Sequence, residues 1–117
     1  MGTTPVIDEP DFLVLLAHGT AEPAFARHAF HLAAAAAALG RSVGLYFAVE
    51  GTTWLSDAVP PAVTGQLEEL RELGVVMYAC PASLSEHGLV QETDAYSLLG
   101  AAAAVRLATR ARTMVSL

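Results

Sequence analysis

The chain has 117 residues, 54% of them hydrophobic and 15% charged, and 12 acidic against 6 basic residues give a net charge of −6. A chain of this length forms one domain with its own core. The negative charge and the lack of a basic cluster argue against nucleic acid and anionic membranes as partners. No apolar stretch reaches the roughly 20 residues that span a bilayer. The N-terminus resembles no signal peptide, and a single cysteine is typical of a cytoplasmic protein without disulfides.

Short apolar runs alternate with helical segments along the first half of the chain. Residues 1–10 are expected to form a flexible tail before the first run, Phe12–Ala17, which is continuously apolar and typical of a strand covered on both faces. Pro23 suits the first turn of a helix that extends to Leu39, with Gly40 as its terminator. Ser42–Val49 is predicted to be the second strand.

The second half repeats this alternation. In order, the sequence predicts a loop over Glu50–Pro61, an amphipathic helix over Val63–Leu73, a strand ending at Ala79, a short helix from about Leu84 to Gly88, a helix from Ala95 to about Arg110, and a strand over Arg112–Leu117. The whole pattern predicts a three-layer, flavodoxin-like α/β domain with a mostly parallel sheet of four to five strands in the order 2-1-3-4. Helices should cover both faces.

That strand order places the carboxyl ends of strands one and three side by side. Ligands of such sheets bind where the strand order reverses, at the carboxyl ends of the strands. The first of these ends carries His18-Gly19-Thr20 and the other carries Cys80. We therefore expect His18, Gly19 and Cys80 to lie close together.

Cys80, the only cysteine, follows a buried strand and precedes a predicted helix. Ser83 and Glu86 have the spacing of a helix capping box. The amino-terminal end of a helix favours thiolate over thiol, so Cys80 is a candidate nucleophile. The free backbone N–H groups of residues 82–85 are candidates to hold an anionic sulfur.

The segment Tyr78-Ala79-Cys80-Pro81-Ala82-Ser83, after Leu73-Gly74-Val75, is the most specific part of a wider pattern. That pattern includes an alanine-rich helix closing at Leu39-Gly40, and Val43-Gly44-Leu45-Tyr46-Phe47 followed by Gly51. From Phe12 to Leu117 the sequence resembles the DsrE/DsrF-like family of small sulfur-relay proteins. The resemblance implies a homo-oligomer, a trimer or a hexamer. It also implies that Cys80 accepts sulfur as a persulfide from a donor protein and passes it to an acceptor protein.

Two other functions stay open. Cys80 is an inert structural thiol if the domain is a non-catalytic module that binds a small anion or a protein. A metal-dependent chelatase built on His18 would need a second histidine ligand, and the other loop histidine is His87. His28 and His31 share one helix face but make a weak metal site without a third ligand. No cofactor is expected.

Further candidate binding residues accompany Cys80. Ser83 is either a helix cap or a donor to the sulfur, and His18 with Gly19 forms the first loop. Trp54 either packs on the core of its own chain or covers the cysteine pocket of a neighbouring subunit.

Overall fold

A computed structural model describes residues 9–91 and 93–117 of the chain. Within them, five parallel strands form one sheet in the order β4-β3-β2-β1-β5. The strands are β1 (Phe12–Leu16), β2 (Val43–Phe47), β3 (Val76–Ala79), β4 (Ser97–Leu98) and β5 (Thr113–Ser116). The helices are α1 (Pro23–Ala38), α2 (Pro61–Glu72), α3 (Pro81–Glu86) and α4 (Ala101–Arg110), and a 3₁₀ helix covers Val49–Leu55. The predicted fold class, a flavodoxin-like α/β domain, is confirmed.

The central strands form where the sequence is uninterruptedly apolar. All five residues of β2 are buried, as expected for a strand with neighbours on both edges and helices on both faces. The helices that flank β2, α1 and α2, are each followed directly by a glycine after their C-cap residue, and Gly40 is the terminator that the sequence predicted. Gly40 and Gly74 have φ of 84° and 93°, a left-handed conformation that glycine adopts without a steric cost.

Helices cover the sheet unequally. α1 and α2 pack on one face around Phe30, Phe47 and Leu70 and contain most of the core. The opposite face is covered by α4, which crosses from the β4 edge back to the β5 edge. None of the residues of α4 is fully buried, so this layer is thin.

The predicted strand order is wrong. β3 pairs with β2, not with β1, and β1 lies between β2 and β5. In the order 2-1-3-4, the second strand is added on one side of β1 and the third strand on the other side. Because crossovers are right-handed, this change of direction would place α1 and α2 on opposite faces of the sheet. Instead, Leu67 and Leu70 of α2 pack into the same core as α1. The ends of β1 and β3 are therefore separated by β2, roughly 10 Å apart at ordinary strand spacing.

Two other segments differ from the sequence prediction. The expected loop over Glu50–Pro61 contains the 3₁₀ helix, which buries Gly51, Thr52 and Trp54. The helix expected from Ala95 begins only at Ala101, because residues 97 and 98 add a fifth strand at the edge of β3. This strand has two residues and no periodicity that a sequence pattern could reveal.

The predicted N-terminal tail lies largely outside the described residues. Of residues 1–10, the structure describes Glu9, which forms an ion pair with Arg110, and Pro10, which is buried beside Gly44.

Candidate functional site

Cys80 joins β3 to α3 at the carboxyl edge of the sheet. Its N–H donates to the Phe47 carbonyl at 3.0 Å and continues the pairing of β3 with β2. Its own carbonyl accepts the first helical hydrogen bond, from the Leu84 N–H, at 3.0 Å. Cys80 is therefore both the end of the strand and the N-cap of the helix, and its side chain is only partly exposed.

The capping box predicted for Ser83 and Glu86 does not form. Pro81 occupies the first helical position, where its fixed φ and missing N–H are tolerated, so α3 begins earlier than predicted. Ser83 thus lies in the first turn with its side chain buried. Its Oγ accepts the Val49 N–H at 2.8 Å and does not cap α3.

Hydrogen-bond donors from two elements, β2 and α3, act on the Cys80 thiol. Burial alone raises the pKa of the Cys80 thiol, but hydrogen bonds from the Ser83 hydroxyl and N–H, the Tyr46 hydroxyl and the Ala82 N–H outweigh it, and the pKa falls below its ordinary value. Residues 82 and 83 fall within the range whose N–H groups the sequence singled out. The arrangement stabilises a thiolate, the form of cysteine that acts as a nucleophile.

Tyr46 belongs to the candidate site, although the sequence analysis assigned it only to the second strand. It is buried on the α4 side of β2, and its hydroxyl donates to the Leu99 carbonyl at 3.3 Å as well as facing Cys80. Burial and then the neighbouring Cys80 raise the pKa of Tyr46 to about 12, so the phenol keeps its proton and stays a donor. A tyrosine in a buried strand usually has a partner for its hydroxyl, which is the one sequence signal for this role.

Val49 has a strained backbone next to the site. Its φ of 55° is in the left-handed region, which β-branched residues rarely adopt. In this conformation its N–H meets the Ser83 Oγ, and its carbonyl accepts from the Thr52 hydroxyl at 3.0 Å. Strain of this kind is typical of functional sites, and no sequence pattern predicted it.

His18, Gly19 and Trp54 form a separate cluster at the end of β1. The His18 Nδ1 donates to the main-chain oxygen of Leu117 at 2.7 Å, and its ring stacks on Phe25 with 3.8 Å between centroids. The Trp54 Nε1–H donates to the His18 carbonyl at 3.0 Å. A Cβ on Gly19 would lie 2.4 Å from the Glu50 carbonyl oxygen, so the two loops approach closely only because this residue is glycine.

The predicted meeting of His18 with Cys80 is therefore not observed. His18 follows β1 while Cys80 follows β3, and β2 lies between them. Trp54 is buried in the core that faces α1 and α2, whereas Cys80 packs with the residues that face α4. In its own chain, Trp54 therefore packs in the core and not against Cys80.

The described histidines and acids form no recognisable metal centre. Within residues 9–91 and 93–117 there is no group of three or more potential metal ligands. His28 and His31 lie exposed on α1.

Comparison with known proteins identifies the family. The model of the DsrE/DsrF-like family matches residues 11–117. The chain belongs to this family. Membership supports a role related to sulfur relay at the level of the family, whose members generally act as relay components. No curated protein matches the sequence significantly.

Solved structures of low sequence identity share the DsrE/DsrF-like fold of this chain. The E. coli ychN protein is 12% identical with a TM-score of 0.79, and the match covers 92% of this chain and 99% of that one. BT1422, a conserved protein of unknown function from Bacteroides thetaiotaomicron, is 12% identical with a TM-score of 0.73, and the match covers 92% of this chain and 95% of that one. In the part of this chain that the structure describes, no helix is long and apolar enough to cross a bilayer.

Proposed function

We propose that this protein is a persulfide carrier that accepts sulfane sulfur on Cys80 and passes it to a partner thiol. The observation that supports this most strongly is the set of donors around the sulfur, from Ser83, Tyr46 and Ala82, which lowers the pKa of the only cysteine in the chain. An inert structural thiol in an apolar setting would have its pKa raised by burial.

In the loading step, the Cys80 thiolate attacks the outer sulfur of a donor persulfide. A new S–S bond forms to Cys80, the S–S bond of the donor breaks, and the donor leaves as a thiolate that then takes up a proton. The same donors around Cys80 are placed to stabilise the negative charge on the bound persulfide. Ser83 and Tyr46 each have a single hydroxyl proton, and that of Tyr46 is shared between the sulfur and the Leu99 carbonyl.

In the delivery step, an acceptor thiolate attacks the outer sulfur of the Cys80 persulfide, and Cys80 returns as a thiolate. The chain has no second cysteine that could resolve the persulfide internally. A partner must therefore supply the acceptor thiol, and the proposed partners are one sulfur-donor and one sulfur-acceptor protein. The reaction uses no cofactor in this scheme.

The proposal includes a homo-oligomer, a trimer or a hexamer, in the cytoplasm. The face of α4 supports self-association, because α4 buries no residue completely and leaves Val105 64% exposed, while Met114 of β5 is 44% exposed. Cys80 packs on this same side of the sheet, so a neighbouring subunit would shield the persulfide from water. Direct contact of His18, Gly19 or Trp54 with a ligand or a neighbouring subunit is a further prediction.

Intact-mass spectrometry tests the loading step. The reduced protein is exposed to a low-molecular-weight persulfide donor beside a Cys80→Ser variant. We expect the wild type to gain the mass of one sulfur atom and the variant to gain none. If neither gains sulfur although Cys80 reacts with an alkylating reagent in the native state, the carrier function is wrong.

A further inference from the structure

A closed ring of hydrogen bonds lies behind Cys80 and joins α3 to the 3₁₀ helix. The Ser83 Oγ accepts the Val49 N–H at 2.8 Å, and the Val49 carbonyl accepts the Thr52 hydroxyl at 3.0 Å. The Thr52 Oγ1 lies 3.2 Å from the His87 Nδ1, which in turn lies 2.9 Å from the Ser83 carbonyl oxygen. Four residues from two elements therefore hold one another in a cycle.

The roles of donor and acceptor in this ring follow from the groups themselves. A carbonyl only accepts, so the His87 Nδ1 must carry a proton to bond with the Ser83 oxygen. Because the Thr52 hydroxyl already donates to Val49, its oxygen is free to accept from the same Nδ1–H. Thr52 has no exposed surface, and losing either contact would leave its polar group poorly satisfied.

Ser83 is fixed from three directions by this arrangement. The Val49 N–H donates to the hydroxyl oxygen of Ser83. The imidazole Nδ1–H and the backbone N–H of His87 both donate to the Ser83 carbonyl. The ring uses the hydroxyl oxygen of Ser83 but not its proton, and a hydrogen bond from this hydroxyl lowers the pKa of the Cys80 thiol. A side chain held this way loses little entropy when it donates to a newly formed anion.

We propose that His87 is a positioning residue for Cys80, which acts by holding Ser83 in the orientation that donates to the sulfur. His87 does not touch the reacting atoms in this scheme. The inference rests on the proposed function in that Cys80 is the reacting group, but the acidity of the thiol can be measured without any sulfur transfer.

Charged groups around His87 act on its other nitrogen. The Nε2 lies 3.1 Å from the Glu50 carboxylate, and Glu86 is the adjacent acid on α3. The polar groups of the neighbouring loops that line the cavity beside His87 are the uncharged Thr20, Thr53 and Ser56. Loss of the Nε2 proton leaves the Nδ1–H in place, so the ring survives and only the contact with Glu50 is lost. The orientation of Ser83 should therefore depend on Nδ1 and not on Glu50.

The test is a titration of the Cys80 thiolate by its ultraviolet absorbance, with Cys80→Ser as the baseline. We expect His87→Phe, which removes Nδ1, to raise the midpoint of the titration by about half a pH unit or more. At a pH well below the midpoint, this shift lowers the thiolate fraction about threefold. His87→Asn keeps a donor near the position of Nδ1 and should restore the wild-type midpoint. Glu50→Gln should leave the midpoint unchanged. Circular dichroism checks that each variant is folded.

A second pair of variants keeps the test decisive if His87→Phe does not fold. Thr52→Val opens the ring at its hydroxyl and should raise the midpoint, whereas Thr52→Ser keeps the hydroxyl and should not. Unchanged midpoints in folded His87→Phe and Thr52→Val, or a wild-type midpoint equal to that of a free thiol, would overturn the inference. Shifted midpoints in a protein that gains no sulfur would uphold it and refute the carrier function instead.

Discussion

The acidity of the Cys80 thiol results from two opposing effects of its surroundings, burial and hydrogen bonding. Partial burial disfavours the thiolate, and four hydrogen-bond donors within the same pocket favour it. Tyr46 and Cys80 are coupled, because a charge on the sulfur raises the pKa of the phenol and keeps it protonated. A phenol held in its neutral form can stabilise either the thiolate or the terminal anion of a persulfide.

Replacement of Ser83 by alanine should weaken the site and the fold together. Ser83→Ala removes two contacts, the donor to the sulfur and the acceptor of the Val49 N–H. We expect the pKa of Cys80 to rise and alkylation near pH 6 to slow, with a loss of about 1–2 kcal/mol in the free energy of unfolding. Alkylation kinetics and urea denaturation measure the two effects. Ser85→Ala, at an exposed position of the same helix, is the matched control and should change neither.

His87 should make the stability of the fold depend on pH. Hydrogen bonds to the Ser83 carbonyl and to Glu50 raise the pKa of His87 above its ordinary value. A raised folded-state pKa stabilises the fold fully below the unfolded value of about 6.5, and this contribution is lost as the pH rises through the folded pKa. The difference in unfolding free energy between wild type and His87→Gln should therefore be larger near pH 6 than near pH 9.

The same denaturation series includes its own control. His31→Gln replaces an exposed histidine on α1. An equally large pH-dependent difference for this variant would assign the effect to general charge and not to the contacts of His87.

At the scale of elements, the 3₁₀ helix is docked against the end of β1 through a glycine. A Cβ on Gly51 would lie 1.9 Å from the Leu16 carbonyl oxygen, a distance that only a backbone shift could relieve. The same 3₁₀ helix supplies Thr52 to the ring behind Ser83 and Trp54 to the core. Close docking at Gly51 thus supports both the ring behind Ser83 and the packing of Trp54 in the core.

Two glycine substitutions should act in opposite directions. Gly51→Ala should lower the free energy of unfolding by at least about 2 kcal/mol, because the added methyl group meets backbone. Gly65→Ala lies in the interior of α2 with no atom within 4 Å of the new Cβ, and should raise it by about 0.5–1 kcal/mol. Urea denaturation of both variants measures the contrast, and equal stability of the two would contradict this account of the loop.

The elements could be predicted from the sequence more reliably than their arrangement. Phe12–Leu16 and Val43–Phe47 are uninterrupted apolar runs, and Gly40 and Gly74 end the helices beside them, so these elements follow from local chemistry. The strand order depends on which face α2 covers, which an amphipathic pattern does not specify. Cys80 could be identified because its position between a strand and a helix follows from the local sequence. Its interaction with Tyr46 could not be predicted, because it depends on the pairing of β2 with β3.

At the scale of the whole molecule, the two faces of the sheet differ in their covering. The face with α1 and α2 contains most of the buried core, and the face with α4 holds Cys80 and leaves apolar side chains exposed. A second subunit on the α4 face would complete the thin layer. The proposed carrier function and the proposed oligomer would thus involve the same side of the sheet.

A charge on the α4 face should disrupt the proposed oligomer. Val105→Glu places a carboxylate on an exposed apolar position of α4, and its burial in an interface would be costly. We expect sedimentation or light scattering to give a multiple of the 12.2 kDa chain mass for the wild type and a smaller species for the variant. Leu39→Glu, at the end of α1, is the control and should stay assembled. A monomeric wild type would refute the oligomer and leave the chemistry of Cys80 unaffected.

The decisive experiment for the proposed carrier function is the transfer of sulfur from loaded Cys80 to an acceptor thiol. The protein is loaded with one sulfur, freed of donor, mixed with a low-molecular-weight thiol, and both species are weighed by mass spectrometry. We expect the protein to return to its unloaded mass while the thiol gains one sulfur as a persulfide. A loaded protein that keeps its sulfur in the presence of excess thiol would contradict a carrier function for Cys80.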